Sequence, residues 1–567
     1  MKNNSDLGFK KNDIIELIID DNGSNTEGIG HIGNYSFFVK DTIKGERIRA
    51  VVTKLNKNYG FAKCIEIISP SKYRIEPKCE YYKRCGGCNL QHMSYEGQIE
   101  YKKNKILNTL RKIAGINLDN IDIILSENEF RYRNKAQYPV GYDKDGMIKA
   151  GFYASRSHNI VPIRDCILEP EINSKIVDAV LQFCAGNNLT AYNEILNEGD
   201  IRHIMIRHTD NFEIMVCLII NTNKNNEPFF WKECFDKINE QIKIYNKNNG
   251  LNYKFLSFNL NFNNKKTNVI MGEKTENIIG NPYILDSMNG INYAISVNSF
   301  YQVNAKQAAK LYEIAARMAD INSDDVVFDM YCGTGTIGLY LAKYAKCVFG
   351  VEIVKEAIEM ANYNKKINKT DNIEFMCGSA DIVLNKLYND GIMPNIIVVD
   401  PPRKGLSTDM IDNILRSAPQ KIVYISCDIA TLARDLKILL NDGVYKLEEF
   451  VGVDQFCQTG HVETIVLLSK LDSKNHISVE LPMDDMDLTS AESKATYKQI
   501  QNYVLEKFGF KVSTLYIAQV KRKYGLDVSE HYNISKNEKQ KIPQCPIEKE
   551  EAILDAFKYF KMIKDGF

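Results

Sequence analysis

Neither charge predominates in this chain: 72 lysines and arginines face 72 aspartates and glutamates over 567 residues. That balance excludes a protein that grips nucleic acid by a uniformly basic surface, and it leaves local patches, with shape and base contacts sharing the task. One such patch is present, since residues 71–170 carry 17 Lys/Arg against 12 Asp/Glu, although an ordinary solvated surface would read the same way. No window stays apolar for about 18 residues, so no membrane span is expected. The opening Met1-Lys-Asn-Asn-Ser-Asp-Leu-Gly lacks the apolar stretch of a secretory signal. Fourteen cysteines without an extracellular pattern complete the case for a reducing, cytoplasmic setting in which thiols hold metal or act in catalysis.

The length calls for about three or four domains. From Lys11 to about Pro70 short alternating runs, Ile14 to Ile19, Ser36 to Lys40, Glu46 to Thr53 and Tyr59 to Glu66, are separated by glycine-rich turns, which predicts a small barrel. A helix is expected from Tyr95 to Ile113. After it come strands around Ile148 to Ile167 and a hairpin, Ile201 to Arg207 with Phe212 to Ile220, turning at Thr209-Asp-Asn. Lys306 to Asp320 reads as the helix that leads into an α/β region. In the tail, Ser490-Ala-Glu-Ser493 opens a helical stretch from about Lys494 to Phe508, and Ser513 is the expected N-cap of a second helix from Thr514 to Tyr524. With Gln519, Lys521, Arg522 and Lys523 on it, the pair resembles a helix-turn-helix; a plain helical appendage is the alternative.

The α/β region carries the chemistry. Asp325 to Gly338 is an apolar run, an acid, a glycine-rich turn and the start of a helix, and the next strand ends at Glu352, where doubly wound sheets bind ribose hydroxyls. No Lys-Ser/Thr pair closes the turn, so a phosphate loop is excluded, and the full G-x-G-x-x-G of nicotinamide sites is missing too. S-adenosylmethionine, with a ribose and an adenine but no pyrophosphate, fits better. Asp400-Pro401-Pro402-Arg403 follows a strand, its prolines stiffening the turn that aims the carboxylate. Ser426-Cys427-Asp428 then puts a lone cysteine at the end of the apolar strand Lys421 to Ile425, at the sheet edge where ligands bind.

Six strings in one order carry a resemblance: Cys79-x5-Cys85-Gly-Gly-Cys88 with a distant Cys166, Phe300-Tyr-Gln302-Val-Asn304, Asp329-Met-Tyr331-Cys-Gly, Asp400-Pro-Pro-Arg403, Ser426-Cys427-Asp428 and His461-Val-Glu463-Thr. From about Lys11 to Lys470 the chain resembles the RNA uridine-5-methyltransferases, specifically the iron-sulfur type that modifies 23S rRNA, and its N-terminal barrel resembles the RNA-binding TRAM domain. The resemblance implies a Rossmann-like α/β methyltransferase domain at 301–470, a TRAM-like OB barrel at 8–70 and a mixed α/β iron-sulfur and RNA-binding domain at 71–300. A small helical extension of unassigned role, 471–567, follows.

Uracil C5 is a poor nucleophile, and thiolate attack on C6 makes it an enolate carbon able to accept a methyl group. Cys427 is the candidate nucleophile and Glu463 the candidate base for the C5 proton. By resemblance, Gln302, Tyr331, Glu352 and Asp400 hold S-adenosylmethionine, with Ser379 and Asp381 either touching its adenine or forming an ordinary loop. Four cysteines, Cys79, Cys85, Cys88 and Cys166, suit zinc or a 4Fe-4S cluster by spacing, and the resemblance favours the cluster in a structural role. No C-x3-C-x2-C run is present to support radical chemistry. Arg131, Arg133 and Lys135 are expected on one face of a strand, steadying the backbone of an extruded uridine. Where the family reads Phe-Pro, this chain has Phe456-Cys457, which is expected to put a second thiol near the site. The implied partner is 23S rRNA or its assembly intermediates, without a membrane or an obligate protein partner. Transfer RNA is the nearest variant substrate, and a non-catalytic ribosome-assembly factor is the alternative from another class. An RNA cytosine-5 enzyme would carry a Pro-Cys nucleophile beside its acid-Pro-Pro, and an amino-methylating enzyme an aromatic where Arg403 stands.

Overall fold

Strict alternation along the N-terminal strands puts one side chain in two inward, and the result is a closed five-stranded barrel. Its strands, Ile14–Asn22, Gly28–Ile32, Tyr35–Lys40, Arg47–Leu55 and Tyr59–Ser69, pair in the order first, second, third, fifth, fourth. Leu17, Ile19, Phe37, Val39, Ile48 and Val52 fill it. This computed structural model describes residues 8–221, 228–441, 443–471, 497–524, 545–560 and 562–563. They belong to two units, Met1–Ser473 and Lys474–Phe567.

Within the first unit a seven-stranded sheet follows the barrel. Its spatial order is Lys274–Gly280, Lys254–Phe262, Glu213–Ile220, Ile201–His208, Lys135–Tyr142, Ile148–Tyr153, Ile160–Pro162. The strands Glu213–Ile220 and Ile201–His208 are buried almost throughout because both faces are covered; the first is apolar after Glu213, and the second also buries Arg202, His203, Arg207 and His208. Ile204, Ile206, Val216 and Leu218 pack with Phe183 and Trp231 of the helices Ile172–Gly186 and Pro228–Asn249. Met205, Met215, Cys217 and Ile219 enter the core shared with the α/β sheet. The expected helix from Tyr95 is there as Tyr95–Thr109, continuing as a π-turn, Leu110–Ala114.

The α/β sheet has eight strands in the order Ile373–Cys377, Cys347–Glu352, Val326–Met330, Ile396–Val399, Lys421–Ser426, Glu463–Lys470, Tyr445–Val453, Asp122–Ile124. The first five run parallel. Starting at Val326–Met330, the chain steps outward twice on one side and then returns to the other, so a crevice opens at the carboxyl ends beside that strand. The eighth strand, Asp122–Ile124, precedes the seven-stranded sheet in sequence and pairs parallel with Tyr445–Val453.

In the second unit three helices, Tyr497–Phe508, Thr514–Lys523 and Ile547–Tyr559, pack around Ile500, Val504, Ile517, Val520, Ile553 and Phe557. Ser513 caps the second helix, accepting from the Tyr516 N–H at 3.2 Å. The expected opening at Ser490 to Ser493, with Lys494, lies outside the described residues. The expected row of Gln519, Lys521, Arg522 and Lys523 does not form one open basic face, because Lys521 is only 5% exposed and Lys523 pairs with Glu550. Among the described residues no helix is long and apolar enough to cross a membrane.

Candidate active site

Four parallel strand ends build the site. Val326–Met330 leads into Tyr331, Cys347–Glu352 ends on Glu352, Ile396–Val399 leads into Asp400, and Lys421–Ser426 leads into Cys427. These residues line one cavity of about 770 Å³ with Gln302, Ser379, Asp381 and Glu463. Every residue expected from sequence at the catalytic and donor sites is therefore brought to the same place.

The glycine-rich turn is held against its neighbour strand. The Tyr331 and Cys332 N–H groups both donate to the Val351 carbonyl at 2.9 Å, and the Gly333 N–H donates to Glu352 Oε2 at 3.2 Å. Tyr331 takes a φ of 81°, a left-handed conformation that strains an aromatic residue and is maintained only by its surroundings. Gly335 has the same φ, and a Cβ there would stand 2.6 Å from the Phe375 ring, so only glycine fits.

Register brings the two expected catalytic residues together. Lys421–Ser426 and Glu463–Lys470 pair antiparallel, with Ser426 opposite Thr464, and the next positions along are Cys427 and Glu463. The Thr464 hydroxyl donates to the Ser426 carbonyl at 3.0 Å, and Asp428 caps the following helix by accepting from the Ala430 and Thr431 N–H groups. The sulfur is thus held between a locked strand end and a capped helix. Asp435 secures the opposite wall, accepting from the Leu406 N–H at 2.9 Å and the Tyr424 hydroxyl at 2.8 Å.

Burial dominates the electrostatics. Glu463 is 4% exposed, and burial, reinforced by Asp400 and opposed by Arg403, pushes its carboxyl up to about 8. Asp400 and Asp329 are both pushed up to about 7 by burial. Burial also raises the Cys427 thiol to about 11, with Glu463 and Asp400 adding to the shift and Arg403 opposing it. Phe300, Tyr312, Phe456 and His461 also line the cavity, the last two as an edge-to-face ring pair 6.2 Å apart. None of these four was expected as a site residue; for Phe300, Phe456 and His461 the signal available was their place inside or beside the quoted strings, and Tyr312, in the helix Ala305–Ala319, carried none. Cys457 is not at the cavity: it is buried and donates to Asp454 Oδ2 at 3.3 Å.

A second cavity, of about 370 Å³, is lined by Cys79, Cys85, Cys88 and Cys166 together with Arg133, Lys135 and Glu169. Burial raises all four thiols, Cys88 to about 12. Among the described residues no group of three or more His, Cys, Asp or Glu side chains forms a site that could hold a metal ion. Arg131 does not share a face with Arg133 and Lys135. Its φ of 56° breaks the alternation, the strand begins only at Lys135, and the guanidinium pairs with both oxygens of Asp165 at 2.6 Å. Arg133 and Lys135 line the cysteine cavity, so the expected row of three on one face does not form.

The cysteine segment is fastened to the loop that carries Glu463. The Asn89 and Leu90 N–H groups both donate to the Gln458 carbonyl at 3.1 Å, and the Gly460 N–H donates to Asn89 Oδ1 at 2.9 Å. Beneath them the fully buried Lys102 pairs with Asp454 at 2.5 Å.

Comparison with known proteins agrees with this geometry. Residues 94–471 match the family model described as tRNA (Uracil-5-)-methyltransferase, and residues 9–65 match the TRAM domain. An "uncharacterized RNA methyltransferase" of Clostridium acetobutylicum is 43% identical over 470 residues, 82% of this chain and 99% of the relative. Another, from Clostridium tetani, is 40% identical over 82% of this chain and 98% of the relative. The crystal structure of Pyrococcus abyssi tRNA (uracil-54, C5)-methyltransferase in complex with S-adenosyl-L-homocysteine superposes with a TM-score of 0.62 at 26% identity, over 80% of this chain and 99% of that one. With a family match across most of its length and near-complete coverage of its relatives, the chain belongs to the RNA uracil-5-methyltransferase family and carries a TRAM domain at its N-terminus.

Proposed function

We propose that this protein transfers a methyl group from S-adenosylmethionine to C5 of a uridine in 23S rRNA, with Cys427 as nucleophile and Glu463 as base. The observation that carries the mechanism is the antiparallel register that sets Cys427 beside Glu463 in the cavity holding Glu352 and Asp400. When bound, S-adenosylmethionine supplies an electrophilic methyl group on a positively charged sulfur. Glu352 would hold its ribose hydroxyls, Tyr331 would offer an apolar face, and Gln302 and Asp400 would complete the donor's walls.

Cys427 Sγ bonds to uridine C6 and C5 takes the methyl group. Glu463 removes the C5 proton, and the Cys427–C6 bond breaks, returning the thiolate. A thiol near 11 is almost wholly protonated at neutral pH. A unit positive charge about 4 Å away, at an effective dielectric near 20, is worth about 4 kcal/mol, or roughly three pKa units. The opposing pull of Arg403 is already part of that value, so the donor's charge is the further contribution that would bring Cys427 into range. Glu463 benefits in sequence: the charge favours its ionised form before transfer, and loss of that charge on transfer leaves it the stronger base when the C5 proton has to go.

Cys79, Cys85, Cys88 and Cys166 line one cavity, and a 4Fe-4S cluster is preferred to a single zinc ion there on the resemblance of their spacing to the iron-sulfur type. Cys79, Cys85, Cys88 and Cys166 would hold it, and its part would be to brace the segment fastened to the Glu463 loop. That cysteine set is also what favours 23S rRNA. Transfer RNA is the second reading, favoured by the named substrate of the Pyrococcus enzyme. Purified protein incubated with labelled donor and either unmodified 23S rRNA or unmodified transfer RNA, followed by nucleoside mass spectrometry, decides between them. Labelled 5-methyluridine from rRNA alone is the expected result; label from transfer RNA alone establishes the second reading, and label in another nucleoside overturns both.

A further inference from the structure

The outer wall of the barrel is divided in chemistry. On one side Arg47 and Arg49 pair with Glu16, and Arg49 also with Glu66, forming a self-neutralised patch. On the other side, where Tyr35–Lys40 and Tyr59–Ser69 run parallel, three aromatic rings face outward. Phe38 lies opposite Phe61 in register, and Phe38, Tyr59 and Phe61 form a triangle with centroids 5.7 to 5.9 Å apart. Tyr59 is 42% exposed, and Phe38 and Phe61 are half-buried, while alternate residues on the same strands fill the barrel core.

Cross-strand aromatic packing alone would explain the triangle. It does not explain the lysines. Lys40 stands directly opposite Lys63, and Lys54 directly opposite Phe61. Lys40, Lys54, Lys57 and Lys63 are all exposed, and among the described residues none of the four has an acidic partner. Like charges set opposite each other destabilise a strand pair unless something negative lies between them. A surface offering aromatic faces at its centre and unneutralised cations at its rim suits one kind of ligand, an unpaired nucleotide run whose bases stack and whose phosphates meet the lysines. Duplex RNA would present phosphates but no base faces.

We propose that Phe38, Tyr59 and Phe61, with Lys40, Lys54, Lys57 and Lys63, form a stacking platform that holds a single-stranded segment of the RNA substrate outside the methyl-transfer cavity. The proposal rests on the RNA-modifying function above and adds the face, the residues and the strandedness of what is bound.

The test is fluorescence anisotropy with the full chain, using a labelled single-stranded 12-nucleotide RNA and a duplex RNA of the same length. Phe38→Ala with Tyr59→Ala is expected to raise the Kd for the single strand about 10- to 100-fold and leave duplex binding within about twofold. Lys40→Gln with Lys63→Gln, which disturbs no core residue, should lower the slope of log affinity against log salt by about 1.4 for the single strand. Arg47→Gln with Arg49→Gln removes the same charge from the other side and should leave that slope unchanged. Wild-type affinity in both the aromatic and the lysine variants overturns the platform, as does an equal loss in the arginine control. A wild-type protein that binds neither probe also overturns the platform; failure of the methyl-transfer reading is a separate outcome, seen as absence of label in the methylation assay above.

Discussion

The two cavities of the first unit hold the same functional group to different ends. In one, the Cys427 thiol sits among raised carboxylates and an arginine, with Cys332 also in the wall; in the other, four raised thiols share a space with Arg133, Lys135 and Glu169. Burial is the leading cause of the shift in every case. On the function proposed above, resting acidity would not be what separates a reactive cysteine from a ligating one. The difference would lie in the group that arrives: a cation and an electrophile beside Cys427, or iron among Cys79, Cys85, Cys88 and Cys166, each able to stabilise thiolate.

The sharpest test of that contrast is to remove one thiol from each cavity. Cys427→Ala should reduce methyl incorporation by on the order of 10⁴-fold or more while leaving RNA affinity within about twofold; turnover above that floor would take the nucleophile's role from Cys427. Its partner fails differently. Glu463→Gln should slow turnover about 10²- to 10⁴-fold and accumulate a covalent protein–RNA adduct, visible as a shifted band on a denaturing gel. In the other cavity, Cys88→Ser in protein prepared without oxygen should abolish bound iron and visible absorbance and lower Tm by roughly 5 °C, with methylation reduced but not extinguished. Wild-type protein free of iron and sulfide under those conditions would dissolve the contrast.

The smallest effect concerns pH. Glu463, Asp400 and Asp329 have folded values near 8, 7 and 7, above their ordinary 4.5, 3.8 and 3.8. Folded protein therefore binds more protons than unfolded between those limits, and stability falls as pH rises from about 4 through 8. Tm without donor should be higher at pH 6 than at pH 8.5 by a few degrees. S-adenosylmethionine should narrow the difference, and S-adenosylhomocysteine, uncharged at sulfur, should narrow it less. Identical pH profiles with both would show that no donor charge reaches these carboxylates.

How much of this was readable beforehand depends on the distance over which a residue's role is set. The glycine-rich turn, Asp400-Pro-Pro-Arg403 and the Ser426-Cys427-Asp428 strand end are local, so their place at the sheet's carboxyl edge followed from a strand, a turn and a helix in succession. The barrel followed from period-two alternation. The fate of Arg131, Arg133 and Lys135 did not, because one residue with positive φ breaks an alternation that sequence assumes. Nor did the position of Cys457, which packs inward on Asp454. The third helix of the second unit, Ile547–Tyr559, was missed because its apolar face is completed only by two other helices. The strand Asp122–Ile124 is three residues long and pairs with a segment more than three hundred residues later, which no window can register.

The fastening of Asn89 to Gly460 spans 371 residues, and that of Lys102 to Asp454 spans 352. Contacts so distant along the chain close the longest loops and form late in folding, after the local pieces they join. The loop that presents Glu463 is therefore among the last parts of the first unit to be set, and it is set by residues synthesised long before the α/β sheet exists. Completed topology sets this loop: the α/β region cut free at residue 301 would keep Cys427, its acids and the strand pairing beside them, and would lose the contacts from Asn89 and Lys102 that fasten the loop ahead of Glu463.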